Sequence, residues 1–252
     1  MEKIEKKENR YGLLGKEISY SFSQAYFTKK FEDAGMVNHS YENFDIPTIS
    51  RFEAIIAQKN IKGINVTIPY KEQVIPYLSH LDPKAEKIGA VNTVKFTQNG
   101  LKGYNTDAFG FQKSMEPLLK PHHTKALILG TGGASKAIRF VLGELGIEHT
   151  YVSRTKKKNQ FTYEELNQKI IEEHTLIVNC TPLGTYPDID EKPPIPYSYL
   201  GKKHFLFDLI YNPEITSFLA AGKEKNATIC NGLKMLELQA EKSWEIWNSS
   251  EK

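Results

Sequence analysis

Residues 125–138, KALILGTGGASKAI, decide how this chain is read. The apolar run ALIL has no alternation, which is the pattern of a strand buried on both faces of a parallel sheet. ASKAI opens a helix that continues through RFVLGELG. Between the two lie Gly130, Gly132 and Gly133, where backbone amides can approach a pyrophosphate at the positive end of a helix. Ser135 stands where the GxGxxG spacing ends in glycine, and a tight strand-to-helix turn alone would look similar. The order strand, glycine turn, helix favours dinucleotide binding.

The next strand settles which dinucleotide. A site for NAD offers a carboxylate to the ribose hydroxyls about 20 residues after the glycines. Here the strand HTYVSR runs into Ser153, Arg154, Thr155, Lys156, Lys157 and Lys158. An arginine fork with no carboxylate suits a ribose 2′-phosphate, against the plainer alternative of a solvated basic loop. The expected cofactor is NADP(H).

Further runs, TLIVNC, HFLFDL and ATIC, supply more strands, so the second half reads as a doubly wound nucleotide-binding domain. The loop Thr181-Pro182-Leu183-Gly184 follows TLIVNC at the end where such sheets place ligands. Upstream, YGLLG reads as a strand, QAYFTKKFEDAG as a helix closed by Gly35, HSYENFDI as a strand, ISRFEAIIAQK as a helix and IKGINVTI as a strand. Pro69 is placed to start a helix carrying Lys71, and Asn99-Gly100 suits the left-handed positions of a type I′ hairpin turn. TDAFGFQKSMEPLL reads as a helix and PHHT as a linker, with the boundary near 110–122. The fold class is therefore α/β in two domains. Residues 1–112, with 234–252 packing back, form a three-layer α/β/α domain, and 113–233 form a Rossmann-type domain.

Composition narrows the rest. A chain of 252 residues is long enough for two domains, and a cleft between domains is a usual home for small ligands. The balance of 33 basic against 30 acidic residues gives +3, so nothing global calls for nucleic acid or an anionic membrane. No run approaches the roughly 20 apolar residues needed to span a bilayer, and the charged start is followed by a stretch too short and polar for a signal segment. The expectation is a cytoplasmic protein. Cys180 and Cys230 are isolated and read as reduced, buried residues, with no metal site. His122 and His123 read as surface residues of the linker.

Polar residues cluster at strand ends of the first half: Ser21 and Ser23, Asn65 and Thr67, Lys71, Asn92 and Thr93, then Asn105, Thr106 and Asp107. Singly, each has an ordinary structural reading as a cap, a turn former or a solvated residue. Together they suit a pocket for a small polyhydroxylated acid.

The pattern resembles the shikimate dehydrogenase family over nearly the whole chain. The matching segments are Gly15 to Ser23, GINVTIPYK (63–71), GAVNTV (89–94), GYNTDAFGF (103–111), LGTGGASKAI (129–138), VNCTPLGTYP (178–187), FDLIYNP (207–213) and NGLKMLELQA (231–240). The resemblance implies reversible hydride transfer between NADPH and 3-dehydroshikimate, on the route to aromatic amino acids, by a monomer or homodimer. It implies that Ser21 and Ser23 hold the substrate carboxylate with Tyr211, and that Thr67, Lys71, Asn92, Asp107 and Gln239 hold the ring hydroxyls. Lys71 and Asp107 become the catalytic pair. Gly130, Gly132, Gly133, Ala134 and Ser135 would cradle the pyrophosphate; Ser153, Arg154, Thr155 and Lys158 would meet the ribose phosphate; Thr181, Pro182, Gly232 and Met235 would flank the nicotinamide. Met235 is expected to serve the core as well, with Gln239 one turn later on the same face.

The residue types fit that chemistry, because oxidising a secondary alcohol needs a group to take the hydroxyl proton as hydride leaves carbon. Partial burial disfavours an ammonium and a neighbouring carboxylate favours it, so Lys71 is cast as the proton carrier and Asp107 as the orienting group. Two departures stand out. The family shows His-Ser-x-Ser-Pro where this chain has Tyr20-Ser21-Phe22-Ser23-Gln24, and Asn-Arg-Thr where it has Ser153-Arg154-Thr155. A quinate or mixed quinate/shikimate dehydrogenase and a catalytically silent binding protein are the alternatives.

Overall fold

The structure, a computed structural model, describes residues 9–19 and 21–250. The charged start and Tyr20 lie outside the described residues. In chain order the elements are β1 (Asn9–Gly15), α1 (Phe22–Asp33), β2 (His39–Asp45), α2 (Phe52–Ile56), β3 (Ile61–Val66), β4 (His80–Leu81), α3 (Pro83–Ile88), β5 (Thr93–Thr97), β6 (Gly100–Tyr104) and α4 (Asp107–Met115). Then follow β7 (Lys125–Leu129), α5 (Gly133–Glu144), β8 (Glu148–Ser153), β9 (Gln160–Thr162), α6 (Gln168–Glu173), β10 (Leu176–Asn179), β11 (Phe205–Asp208), α7 (Ser217–Glu224), β12 (Thr228–Cys230) and α8 (Leu233–Asn248). They form two units, one running to Thr106 and resuming at Ala240, the other Asp107–Gln239. Among the described residues no helix is long and apolar enough to cross a membrane.

The sheet of the first unit has the order β2-β1-β3-β5-β6-β4. β1 runs parallel to β2 and β3, while β5 runs antiparallel to both of its neighbours, β3 and β6. Both faces are covered. Leu14, Phe52, Ile64, Val74 and Val94 pack on one side, and Tyr11, Phe27, Phe31, Tyr41, Ala240 and Trp247 on the other. Gly63 on β3 makes room for the last of these. A Cβ there would stand 2.2 Å from Trp247 Nε1, and that indole nitrogen donates to the Val94 carbonyl at 3.0 Å.

Two local expectations are corrected in this unit. Lys71 does not sit on a helix: residues 68–74 are turns that lead into a short 3-10 segment, Ile75–Tyr77. A helix needs the Lys71 carbonyl to accept from residue 75. That carbonyl accepts instead from Val91 N–H at 2.8 Å, and Ile75 N–H turns to Glu72. The hairpin between β5 and β6 forms, but its loop is Gln98 and Asn99, with Thr97 opposite Gly100. Only Gly100 has positive φ (104°), so the turn is not type I′. Thr97 Oγ1 accepts from Asn99 N–H at 3.1 Å and donates to the Gly100 carbonyl at 2.7 Å, fixing the loop from inside.

The second unit holds a parallel sheet in the order β12-β11-β10-β7-β8-β9. Counted from β7 and read from the β9 edge, its strands run third, second, first, fourth, fifth, sixth, so the connection reverses direction between β7 and β10, the switch point where ligands bind in such sheets. β10 and β11 are buried along their whole length, as strands covered on both faces must be. The three-residue edge strand β9 was not legible, because QFT follows the lysine-rich turn with too few residues to show a period.

The linker histidines differ from each other. His122 is exposed, whereas His123 is buried, accepting at Nδ1 from Lys120 N–H at 3.0 Å and facing the Lys203 carbonyl through Nε2 at 3.1 Å. Two such neighbours fix the neutral Nε2–H form, and burial lowers the pKa. Cys180 and Cys230 are free thiols, half-buried rather than buried. Desolvation raises both, Cys230 to about 11.

Candidate active site

The serine loop begins where β1 ends. Ser21, not Ser23, caps α1: its Oγ accepts from Ser23 N–H at 3.2 Å. Ser23 lies in the first turn of the helix, its N–H held by that cap. A Cβ on Gly15 would stand 2.7 Å from the Thr67 methyl, so the glycine brings the start of this loop against the end of β3.

From Tyr41 a buried polar network runs inward. Tyr41 Oη donates to Asn65 Oδ1 at 2.8 Å, and Asn65 Nδ2 donates to Ser243 Oγ at 2.9 Å and to Thr93 Oγ1 at 3.2 Å. Ser243 and Thr93 hydroxyls lie 2.8 Å apart. Asn92 Nδ2 donates to Thr106 Oγ1 at 2.9 Å, and Asn92 Oδ1 accepts from Thr106 N–H at 2.6 Å. Register explains the gathering. Asn65 pairs with Thr93 across antiparallel β3 and β5, so the C-terminal end of one strand and the N-terminal end of the other share an edge with the end of parallel β1.

Ser21, Ser23, Thr67, Lys71 and Asn92 therefore stand at one edge of the first sheet. Lys71 is half-buried, and its carbonyl bond to Val91 fixes it beside the residue preceding Asn92. Asn92 is no surface turn former; it is 3% exposed. Asp107, next after Thr106, is buried at the first position of α4. In the same unit α4 packs on the first turns of α8, since a Cβ on Gly110 would stand 2.5 Å from the Met235 carbonyl and 3.1 Å from Gln239 Cβ. Met235 and Gln239 are both buried there.

The glycine turn is open where a phosphate needs it. Gly130 has φ 95°, and a Cβ on it would meet the Thr181 methyl at 3.0 Å. Gly132 is the N-cap of α5 with no side-chain cap, and nothing lies within 4 Å of the position its Cβ would take. Gly133 and Ala134 follow half-buried. Ser135 points inward, its Oγ donating to the Gly132 carbonyl at 2.7 Å, so the serine keeps the helix close without closing the turn. The uncapped first-turn amides fit a pyrophosphate.

Beyond β8, Arg154, Thr155 and Lys158 are exposed. Ser153 is turned into its own loop, its hydroxyl donating to the Thr155 carbonyl at 2.6 Å. Lys156 is held by both oxygens of Glu165 at 2.6 Å, while among the described residues no ion pair engages Arg154 or Lys158. This leaves a guanidinium available to a phosphate. Thr181 is tied to Asn179, Pro182 is exposed, and Tyr211 is half-buried in the loop after β11. Gly232 is pressed on that loop: a Cβ would stand 2.1 Å from the Leu209 carbonyl oxygen.

Tyr41, Ser243, Asn179 and Asp208 were not singled out in the sequence. Ser243 had one available signal, since it lies four residues after Gln239 on the same helical face.

The family profile described as "Shikimate dehydrogenase substrate binding domain" matches residues 13–94. "Shikimate dehydrogenase (NADP(+))" of Clostridium beijerinckii is 38% identical, covering 94% of this chain and 91% of its own. The crystal structure of shikimate dehydrogenase from Aquifex aeolicus superposes with a TM-score of 0.85 at 34% identity, over 97% of this chain and 94% of that one. The Thermus thermophilus enzyme, solved in complex with NADP(H) and shikimate, gives a TM-score of 0.83 at 31% identity, over 95% and 93% of the two chains. With this identity over nearly its whole length, and with the two-unit α/β fold and the motifs in place, the chain belongs to the shikimate dehydrogenase family.

Proposed function

We propose that this protein is an NADP-dependent shikimate dehydrogenase, catalysing the reversible reduction of 3-dehydroshikimate to shikimate. The observation that carries the reading is the gathering of Ser21, Ser23, Thr67, Lys71 and Asn92 at one sheet edge, in a chain whose other unit bears an uncapped glycine turn and an exposed arginine after the next strand. The first unit, which contains the matched residues 13–94, takes the acid. The second takes the dinucleotide.

Ser21 and Ser23 hold the substrate carboxylate, aided by Tyr211, while Thr67, Asn92 and Gln239 hold the ring hydroxyls. Lys71 exchanges the proton with the reacting oxygen. Asp107 hydrogen-bonds the same hydroxyl and orients it. The bound nicotinamide supplies or accepts the hydride, and Arg154 with Thr155 and Lys158 holds the ribose 2′-phosphate that distinguishes NADP from NAD. The network behind Asn92 keeps its amide in one orientation, because each of its buried groups would lose a partner on rotation. A cytoplasmic location and a monomeric or homodimeric state complete the proposal, to be tested by fractionation and size exclusion.

The deciding experiment follows absorbance of reduced nicotinamide with shikimate and with quinate, each with NADP and NAD. Turnover with shikimate and NADP far above the other three pairs is expected. Comparable rates with quinate would place the enzyme in the mixed-substrate class, and ligand-dependent thermal stabilisation without turnover would make it a binding protein.

A further inference from the structure

Asp208 ends β11 as a fully buried carboxylate, and no motif reading gave it a task. Three donors converge on it. Oδ1 accepts from Asn179 Nδ2 at 3.0 Å and from Ile210 N–H at 3.1 Å, and Oδ2 accepts from the Thr216 hydroxyl at 2.6 Å. Two of these lead into different loops. Asn179, opposite Asp208 in the parallel register of β10 and β11, accepts at Oδ1 from Thr181 N–H (3.0 Å) and Thr181 Oγ1 (2.7 Å). Thr216 closes the loop carrying Tyr211 and caps α7 by accepting from Leu219 N–H at 3.3 Å. The loops also touch: Tyr186 N–H donates to the Asn212 carbonyl at 3.4 Å, and a Cβ on Gly184 would lie 3.6 Å from Thr216 Cβ.

We propose that Asp208 is a positioning residue that clamps two ligand loops at once, holding Thr181 through Asn179 on the nicotinamide side and the Tyr211 loop through Ile210 and Thr216 on the acid side. The inference rests on the ligand roles given above to Thr181 and Tyr211. A buried anion is retained only where its hydrogen bonds are complete. Burial raises this carboxyl to about 6, so it is an anion near neutral pH. The titratable groups facing it are the Cys180 thiol and the Tyr197 phenol, and both are pushed well upward, so they stay neutral. Its compensation is the three donors, and those donors fix the loops. A hydrophobic side chain would fill the same space without directing either loop.

Separate release of the two arms tests the clamp. Asn179→Ala frees the Thr181 loop, and the expected result is a rise of about tenfold in KM for NADPH with KM for 3-dehydroshikimate little changed. Thr216→Val frees the Tyr211 loop and should do the reverse, while Thr216→Ser, which keeps the hydroxyl, should restore wild-type values. Asp208→Ala should raise both KM values. Parallel shifts of both KM values in the two single-arm variants, or no shift in either, would overturn the clamp while leaving the dehydrogenase reading intact. If the wild-type protein itself turns over neither acid, the functional reading fails and amide hydrogen exchange decides the clamp alone. Faster exchange in both 181–184 and 209–216 of Asp208→Ala, with the β-sheet unchanged, supports it, and unchanged exchange in these loops rejects it.

Discussion

The side-chain amide of Asn65 on β3 donates to the hydroxyl of Ser243 on α8 at 2.9 Å, joining residues 178 positions apart. Through this bond the last helix of the chain becomes part of the polar network behind Asn92. Removing the hydroxyl in Ser243→Ala leaves Asn65 and Thr93 short of a partner, at a cost of about 1–2 kcal/mol. A double-mutant cycle with Thr93→Val, read by urea denaturation, should give a coupling of about 0.5–1.5 kcal/mol. Additive effects would show that the two hydroxyls act independently.

Lys71→Ala should lower the turnover number by about 10²–10⁴-fold, the range for loss of a proton-transfer group, with the dissociation constant for shikimate nearly unchanged. Steady-state rates and equilibrium titration measure the two quantities separately. Unchanged turnover would remove this lysine from the mechanism.

Arg154→Ala should weaken NADP by about ten- to a hundredfold, as expected for one charge-assisted phosphate contact, and leave the use of NAD where it was. The ratio of kcat/KM for the two dinucleotides reads this directly. Lys156→Ala serves as the comparison, because Lys156 is held by Glu165 and its loss should alter the ratio much less.

Gly63→Ala places a methyl 2.2 Å from the Trp247 ring nitrogen, in a face covered by α8. Overpacking of this kind costs about 1–3 kcal/mol. Chemical denaturation should find the loss, and Trp247→Phe in the same background should recover part of it by shrinking the ring.

Asp208 sets a pH dependence of stability. Its carboxyl is raised from 3.8 to about 6 in the folded chain, chiefly by burial. The folded state thus binds this proton more tightly than the unfolded chain, so the stabilising contribution is fully present below the ordinary value of 3.8 and is lost as pH rises through about 6. Measured against Asp208→Asn, which does not titrate, the wild-type unfolding free energy should fall by up to about 3 kcal/mol between acid and neutral pH. A constant difference across that range would show that burial does not perturb this group. The cost near neutrality is the stability given up for fixed loops.

The second unit was more legible than the first, for a reason visible in its strands. ALIL, LIVN and FLFD are buried on both faces, so their apolar runs are unbroken, and the glycine turn between β7 and α5 leaves a spacing that needs no partner to be read. In the first unit the helix expected at Lys71 failed because a distant donor, Val91 N–H, took the carbonyl the helix required. The Asn99-Gly100 pair does not form a type I′ turn because only Gly100 is left-handed, and the Thr97 side chain holds both residues from inside the loop. His123 differs from His122 only through what packs over it.

By itself the sequence determined what depends on order and spacing along the chain: the α/β class, the glycine turn, the basic residues after β8 and the segments that carry Lys71, Asn92 and Asp107. Tertiary structure alone decided what depends on register and burial. It chose Ser21 as the cap, bonded Ser243 to Asn65, and buried Asp208 between two loops. Side-chain periods are local, whereas a hydrogen bond between distant residues forms only after the sheet has set which strand ends meet.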